Sequence, residues 1–228
     1  MSDEISFADL MASSIHDMKN SLNLQVSALE KIAVRCQARG DQSGFDELGA
    51  IIFQSNRMNI QLVEMLSLYK LGKSIYPVDM DEHAVAEVIH EVVLQSQFML
   101  GFKGIQLSVD CADDCYWYFD KELLKGVLVN ALNNAYEYTH DRIAIVVRLH
   151  NKTLELRVED NGPGYPQTML QSAVASDKGV NFSTGSTGLG FYFCEQVAHM
   201  HKNGSKRGTL HIENGGTLGG GCFVLTLP

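Results

Sequence analysis

Apolar residues in the first third of the chain recur every three or four positions, the spacing of one face of a helix. The first such run predicts a helix from about residue 5 to 37 and comprises Met11, Ile15, Met18, Leu22, Val26, Leu29, Ala33 and Cys36. The second run ends at Gly72 and comprises Leu48, Ile51, Met58, Leu62, Met65 and Tyr69. Residues 38–44 separate the two runs and have the composition of a turn. The pattern therefore predicts a helical hairpin.

Two helices alone leave one side of an apolar stripe in water. We expect two copies of the hairpin to pair into a dimeric four-helix bundle. The alternative is that the hairpin packs against the rest of its own chain.

The pattern changes after Pro77, where short helices and strands alternate. Helices are predicted over 84–93, over 123–135 with Asp120 as N-cap, and over 191–201. Strands are predicted at 105–109, 116–119, 143–149, 154–158, 210–212 and 222–227, with residues 150–153 closing a hairpin. This order predicts an α/β sandwich in which helices cover one face of a mixed sheet. The fold class is thus α+β, with domains at 1–76 and 77–228.

Composition narrows the class of protein. The formal charge of −9 over 228 residues argues against a nucleic-acid surface, which needs clustered Lys and Arg. No apolar run is long enough to span a bilayer, and the first residues do not resemble a signal peptide. The five cysteines are scattered, as is usual in a reducing compartment. We expect a cytoplasmic protein.

Three short motifs in the second domain carry candidate chemistry. Asn130 and Asn134 lie four residues apart on one helix face, and amide oxygens there can bind Mg²⁺. The run 159–164, Glu-Asp-Asn-Gly-Pro-Gly, places the carboxylate of Asp160 at a strand end, where it can accept a hydrogen bond from an amino group. The run 185–190, Gly-Ser-Thr-Gly-Leu-Gly, opens a helix whose backbone N–H groups can bind phosphate. Each motif alone also occurs in ordinary turns and surface helices.

Taken together and in this order, the motifs resemble the nucleotide-binding boxes of the histidine-kinase-like ATPase superfamily. The resemblance covers roughly residues 78 to 228 and implies ATP and Mg²⁺ as cofactors. It implies that Asn134 coordinates Mg²⁺ with Asn130 nearby, and that Asp160 receives the adenine amino group. It also implies that Tyr138 lies against the nucleotide. The loops around the nucleotide would then be shaped by Gly162, Gly164, Thr187, Gly188, Leu189 and Gly190.

Asn130 also helps to choose within the superfamily. Gyrase-like and Hsp90-like members carry a Glu at this place, where it activates water, and an amide cannot act as a general base. Phosphoryl transfer to a protein acceptor is therefore favoured over ATP hydrolysis.

The expected acceptor is His16, which follows Ile15 of the apolar stripe and should lie on the flank of the bundle. Asp17 follows at once, and a carboxylate that binds one imidazole nitrogen makes the other a better nucleophile. The segment resembles the phosphoacceptor box of dimeric sensor histidine kinases. In that family a residue placed like Asn20 positions a water that removes phosphate from the partner.

Several residues depart from the family pattern. Ser21 replaces a frequent proline, Ser186 stands where the first glycine of the third box is usual, and Glu137 occupies a position that is often basic. In the family a lid lies between the second and third motifs. Phosphate contacts are then expected from Lys178 in this segment, where Phe182 is the one aromatic residue.

The hypothesis is a protein histidine kinase of a two-component pathway: it phosphorylates His16 and passes the group to an aspartate of a response regulator receiver domain, with phosphatase activity as a further expectation. Because the two domains account for nearly all 228 residues, we expect the signal to come from a separate sensor or input protein. Two alternatives remain open. One is a histidine phosphotransfer protein with a degenerate ATPase domain that does not use ATP, and the other is an anti-sigma-type serine kinase.

Overall fold

The computed structural model describes residues 7–73, 75–175 and 188–228. The chain forms two compact units, Met1–Tyr76 and Pro77–Pro228, and each is described here by itself.

The first unit is an antiparallel pair of long helices, α1 (Phe7–Ala38) and α2 (Gln42–Gly72). The turn between them is shorter than the composition of residues 38–44 predicts. Asp41 caps α2, because its side chain accepts a hydrogen bond from the backbone N–H of Gly44 at 3.0 Å. Ser43 and Gly44 therefore belong to the first turn of α2 rather than to the loop.

The two helices bury one apolar stripe against each other. Ile15, Val26 and Ala33 of α1 are buried, as are Phe45 and Ile52 of α2. Between the helices, the amide nitrogen of Asn59 donates to the side-chain oxygen of Asn23 at 2.8 Å. A polar pair of this kind fixes the register of two packed helices, because slipping by one turn would break the bond.

Four residues of the predicted apolar runs are not buried between the two helices, as expected if one side of the stripe stays uncovered in a single hairpin. The exposed side chains are Met18, Ile51, Met58 and Met65, with 45%, 50%, 55% and 38% of their surface accessible. The reason is geometric: each helix carries apolar residues on two adjacent faces, and one partner helix covers only one of them.

The second unit contains nine short strands and four helices among its described residues. The helices are α3 (Val85–Phe102), α4 (Lys121–Tyr138), α5 (Gln167–Ala175) and α6 (Leu189–Met200). The strands are β1 (Asp81–Ala84), β2 (Gln106–Asp110), β3 (Tyr116–Phe119), β4 (Arg142–His150), β5 (Thr153–Asp160), β6 (Lys202–Asn203), β7 (Lys206–Arg207), β8 (Thr209–Asn214) and β9 (Gly221–Leu227).

Five strands form the main sheet in the order β2-β4-β5-β9-β8, in which β2 and β4 are parallel and the other pairs antiparallel. Helices α4 and α6 pack against this sheet, and α3 packs against α4. The alternate residues Leu154, Leu156 and Val158 of β5 are buried. The predicted α+β class, with a helical region followed by a mixed-sheet domain, is confirmed.

Some elements were not predicted from the sequence. Among the described residues, strand β1, with the polar sequence Asp-Glu-His-Ala, pairs only with β3, and Ala84 ends it instead of opening α3. The small β6-β7 ribbon and α5 were also missed. These segments are short or lie in glycine-bearing stretches, so they carry too few residues to show a period.

Asp120 joins three parts of the second unit. It caps α4 as predicted, since its Oδ1 accepts from the Leu123 N–H at 3.0 Å, and its Oδ2 accepts from the Asp79 N–H at 3.0 Å. Its own N–H donates to Nε2 of His201 at 3.2 Å. The start of the domain, α4 and the end of α6 thus meet at one residue.

His201 is held as a neutral imidazole at this junction. Its side chain is buried, Nδ1 lies 2.7 Å from the Val197 carbonyl oxygen, and Nε2 accepts from Asp120. Burial lowers the pKa of His201, although the Val197 carbonyl and the charge of Asp120 act in the opposite direction.

Among the described residues, no helix combines the length and the apolar character needed to cross a membrane.

The lowered pKa of His201 predicts a pH-dependent stability of the second unit. A histidine with a lowered pKa binds more protons in the unfolded chain, so stability should fall as pH drops below about 6.5, the ordinary value. Urea unfolding at several pH values, followed by the fluorescence of the single Trp, Trp117, measures this. His201→Gln should unfold with a shallower pH dependence in that window. An unchanged dependence would show that other groups cause it.

Candidate functional site

The two predicted asparagines face the same side of α4 and contact each other. The amide nitrogen of Asn134 donates to the side-chain oxygen of Asn130 at 3.1 Å. Asn130 is buried and Asn134 is half-buried. With the Asn134 nitrogen turned toward Asn130, its amide oxygen points elsewhere and is the better placed of the two to bind a cation.

Gly190, in the first turn of α6, packs directly on the amide of Asn130. A Cβ atom on Gly190 would overlap the side-chain nitrogen and lie about 3.0 Å from the side-chain carbon of Asn130. The preceding Gly188 has φ of 58°, which favours glycine, and serves as the N-cap of α6 without a side-chain hydrogen bond. The first N–H groups of α6 are therefore next to the asparagine pair, and a helix N-terminus favours anions.

The carboxylate of Asp160 is buried at the end of β5. Its Oδ1 accepts from the N–H groups of Gly162 and Gly221, at 2.7 and 3.2 Å. In the described part of the chain, no hydrogen bond reaches Oδ2. The carboxylate is thus held firmly by one oxygen, and the other remains an acceptor for an amino group.

Glycines allow the chain to wrap closely around Asp160. A Cβ on Gly162 would overlap the backbone oxygen of Tyr138, and a Cβ on Gly220 would lie 2.5 Å from the Asp160 carbonyl oxygen. On Gly221 it would lie 2.7 Å from Oδ2 of Asp160. Contacts under 3.0 Å do not occur for real Cβ atoms. The two sides of the carboxylate, the loop after β5 and the start of β9, are therefore both restricted to glycine.

Gly164 is fixed by a partner that sequence reasoning missed. The side chain of Asn214 accepts from the Tyr165 N–H at 2.7 Å and donates to the Tyr165 carbonyl at 2.9 Å. A Cβ on Gly164, whose φ is 78°, would lie 2.8 Å from the Asn214 amide. Asn214 thus fastens the Asp-x-Gly-x-Gly loop to the end of β8.

Glu159 is a second missed residue, and it positions the glycine loop 215–221. Its Oε2 accepts from the N–H and the hydroxyl of Thr217 at 2.7 and 2.6 Å, and its Oε1 accepts from Nε of Arg157 at 3.0 Å. Burial raises the pKa of Glu159, but the bonds from Thr217 and Arg157 outweigh burial and hold the pKa below its usual value. The dense glycines of residues 215–221 were the signal that could have revealed this loop.

Asn161 is a third missed residue. Its side-chain oxygen accepts from the Thr139 hydroxyl at 2.8 Å and from the N–H groups of Asp141 and Arg142 at 3.1 and 3.0 Å. This cluster ties the end of β5 to the turn between α4 and β4. It keeps the Asp160 loop in register with the helix that carries the asparagines.

Two tyrosines flank the carboxylate. Tyr138 ends α4, and 53% of its side-chain surface is accessible. Burial raises the pKa of Tyr165, and the charge of Asp160 raises it further, so the phenol stays neutral. Because Tyr138 is exposed, its side chain is available to a ligand.

His16 lies on α1 in the first unit, with its side chain 66% exposed. Nδ1 is 3.6 Å from Oδ1 of Asp17, beyond hydrogen-bond distance, and 3.3 Å from the amide nitrogen of Asn20 one turn later. The three predicted residues are therefore together. Asn20 rather than Asp17 makes the closer contact with the ring.

Some predicted residues lie outside the described part of the chain: Thr187, Ser186, Lys178 and Phe182.

The donor set of the second unit fits a magnesium nucleotide. An amide oxygen suits a hard cation, a helix N-terminus suits phosphates, and a buried carboxylate with an open oxygen suits an exocyclic amino group. Asn134, α6 and Asp160 supply these three features.

Comparisons with known proteins agree with this arrangement. Residues 119–228 match the family model described as histidine kinase-, DNA gyrase B- and HSP90-like ATPase. The adaptive-response sensory kinase SasA of Crocosphaera subtropica is 24% identical to the chain over 240 aligned residues, which cover all of this chain and 61% of SasA. The chain thus spans less than two thirds of that relative.

Solved structures show the same fold. The histidine kinase AdeS of Acinetobacter baumannii aligns with a TM-score of 0.60 and 16% identity, covering 89% of this chain and 94% of AdeS. Full-length ShkA in complex with AMPPNP aligns with a TM-score of 0.61 and 16% identity, covering 98% of this chain and 46% of ShkA.

The second unit is therefore a domain of the histidine-kinase-like ATPase class. More narrowly, the chain is similar over its whole length to the sensory kinase SasA, in agreement with the resemblance that its sequence indicated.

The contact between Gly190 and Asn130 predicts an unequal response to two glycine substitutions. Gly190→Ala forces the Asn130 amide away and should cost roughly 1–3 kcal/mol of stability, as overpacking does. The matched control is Gly101→Ala in α3, where a Cβ meets nothing within 4 Å and should stabilise by up to about 1 kcal/mol. Urea unfolding followed by Trp117 fluorescence measures both. Equal effects would contradict the close packing of α6 on α4.

Proposed function

We propose that the chain is a protein histidine kinase that uses Mg-ATP to phosphorylate His16 and passes the phosphoryl group to an aspartate of a response regulator receiver domain. One observation carries the proposal. The same chain holds a cluster of groups suited to a nucleotide, with the Asn130–Asn134 pair against Gly190 and Asp160 held by glycines, and an exposed histidine on a helical hairpin.

The second unit, residues 77–228, is the proposed ATP-binding domain. Oδ2 of Asp160 accepts the adenine amino group, and Tyr138 lies against the nucleotide. The loops around the nucleotide are shaped by Gly162, Gly164, Gly188, Leu189 and Gly190, with Thr187, which lies outside the described residues, as a further expected contact. The amide oxygen of Asn134 holds Mg²⁺ with Asn130 as its positioning neighbour, and the cation supplies charge neutralisation on the phosphates.

The transfer to His16 has a simple proton balance. Nε2 attacks the γ-phosphorus, the bond from phosphorus to the bridging oxygen breaks, and ADP leaves with the electron pair. For Nε2 to be the nucleophile, Nδ1 must carry the proton, so the Asn20 amide would turn its oxygen toward Nδ1 in place of the nitrogen that lies 3.3 Å away. The carboxylate of Asp17, 3.6 Å from Nδ1, would move within hydrogen-bond distance to accept this proton as the ring becomes positively charged.

Asn20 has a proposed role in the reverse direction. Its amide lies 3.3 Å from Nδ1 of His16, and both side chains are exposed on α1. There it positions a water for removal of phosphate from the receiver domain.

Labelled ATP tests the kinase proposal directly. With Mg²⁺ and γ-labelled ATP, the wild type should gain phosphate that is labile in acid and stable in base, and His16→Gln should reduce the label to background. His90→Gln, which changes an exposed histidine of α3, is the matched control and should label like the wild type. Acid-stable label on a serine of a partner would instead indicate a serine kinase.

A nucleotide-binding measurement distinguishes loss of ATP binding from loss of the phosphate acceptor. Asp160→Asn should weaken binding of a fluorescent ATP analogue by roughly 10- to 100-fold, the loss expected for one charge-assisted hydrogen bond of about 1.5–3 kcal/mol. His16→Gln should leave that binding unchanged. A wild type that binds no nucleotide would contradict the proposal and indicate a phosphotransfer protein that does not use ATP.

The first unit, residues 1–76, is proposed to form a homodimer through a four-helix bundle. On α2, Ile51, Met58 and Met65 recur every seven residues on one face and are 38–55% exposed. On α1, Leu10, Leu24 and Ile32 share a face and are 46–74% exposed. A second copy of the hairpin would bury these faces in the way that bundle helices do.

A charge in this face should break the dimer. Met58→Glu is expected to convert the dimer into a monomer in sedimentation equilibrium, because pairing would bury two carboxylates. Leu94→Glu is the matched control: Leu94, on α3 of the second unit, is also 55% exposed, and its substitution should leave the mass unchanged. A wild-type monomer at micromolar concentration would contradict the dimer.

A further inference from the structure

A cavity of about 470 Å³ opens in the second unit between strands β3 and β6, and none of the proposed ATP-site residues lines it. Its lining includes Tyr116, Trp117 and Tyr118 of β3 on one side and His201, Lys202 and Asn203 on the other. Side chains alternate between the two faces of a strand, so three consecutive residues can line one cavity only along the strand's edge. The cavity is therefore a slot between two backbone edges, which we call the β3–β6 slot.

Both edges of the slot lack a strand partner. Among the described residues, β3 pairs only with β1, and β6 pairs only with β7. The N–H of Asp120, directly after β3, points across to His201 and closes one end of the slot. Backbone N–H groups two residues apart share an edge, so those of Tyr118 and Tyr116 point into the slot. Unpaired edges of this kind accept an added strand.

The charge around the slot is opposite to that of the whole chain. Lys152 and Lys202 line it, and Lys206 and Arg207 of β7 are exposed beside them. Within the ranges that the structure describes, these four side chains form no ion pair, whereas the chain as a whole carries a formal charge of −9. Glu82 is the acidic side chain in the lining. The lining side chains therefore carry two cations and one anion.

Large apolar side chains are also exposed here. Tyr116 and Tyr118 are 56% and 64% exposed, and Met80, which also lines the slot, is 40% exposed. Tyr116 and Tyr118 project from one face of the β1-β3 pair, since they lie two residues apart. Two four-residue strands make a marginal sheet by themselves, so a further strand would extend both pairing and apolar burial.

From these features we propose that the β3–β6 slot binds an extended acidic segment of a partner protein, which pairs as an added strand with β3 and joins the β1-β3 and β6-β7 pairs. The backbone edges give the binding energy through hydrogen bonds. The cations Lys152, Lys202, Lys206 and Arg207 select for acidic side chains, and the tyrosines select for apolar ones. The occupant is a peptide segment, because a slot bounded by two strand edges and Glu82 does not suit a polyanion such as nucleic acid.

Peptide selection on the full-length chain tests this inference. Random displayed peptides of about ten residues, long enough for one strand, are selected on the wild type alone and then measured on a Lys202→Glu, Lys206→Glu double variant. The matched control is Lys31→Glu, Arg39→Glu, which reverses two exposed cations of the hairpin. The retained peptides should be rich in Asp and Glu and free of internal proline. Each should bind the double variant at least tenfold more weakly than the wild type and the control.

Trp117 and backbone exchange report where the peptides bind. Trp117, the only tryptophan, lines the slot, so its emission should shift saturably with each selected peptide. Amide hydrogen exchange should slow at residues 116–118 and 202–203, and N-methylation of a central peptide residue should weaken binding.

Four results would overturn the proposal. The first is selection of no peptide, or of peptides without acidic residues. The second is equal binding to the double variant, and the third is binding without a change in Trp117 emission or in exchange. The fourth concerns a change in Trp117 emission that depends on Lys202 and Lys206. The proposal fails if a single-stranded oligonucleotide, or a rising concentration of the chain itself, gives this change and no peptide does. All of these measurements are independent of kinase activity.

Discussion

The buried carboxylate of Asp160 is held by two backbone N–H groups that come from different parts of the chain, those of Gly162 and Gly221. Because both bonds end on one oxygen, the loop after β5 and the start of β9 cannot move independently. Both loops approach so closely that a Cβ atom would clash with the carboxylate, its own backbone or the end of α4. The position of the Asp160 side chain therefore constrains three segments: the loop after β5, the start of β9 and the end of α4. Glu159 and Asn161 extend this control on either side of Asp160, to the 215–221 loop and to the α4–β4 turn.

Much of this arrangement could be predicted from the sequence, for reasons that differ between its parts. The asparagine helix and the β4–β5 hairpin have regular periods, and Asp120 is a clear cap, so each is determined by neighbours along the chain. Glu159 and Asn214 could not be assigned because their roles come from contacts with residues 58 and 49 positions away. No local pattern reports such contacts. The short β1 and β6 strands were missed for the same reason, since their partners are distant or their sequences are polar.

The helical hairpin shows a different limit of sequence reasoning. Its apolar spacing correctly indicated helices, but it did not separate the residues buried between α1 and α2 from those left on the outside. Ile15 and Met18 are three positions apart and belong to the same sequence pattern, yet one is buried and the other is 45% exposed. A period gives the direction of a face only to within about one residue, or 100° of rotation. The packing of the second helix decides which part of that arc is covered.

The triple role of Asp120 has a consequence for how the second unit opens. The same residue caps α4, binds the backbone at Asp79 and donates to the buried His201. If the chain peels away at Asp79, the cap loses one of its restraints, and if α6 loosens at its end, the N–H of Asp120 loses its acceptor. The first residues of the unit, the asparagine helix and the end of α6 should then open together as one cooperative foldon, with a shared opening free energy rather than three separate ones.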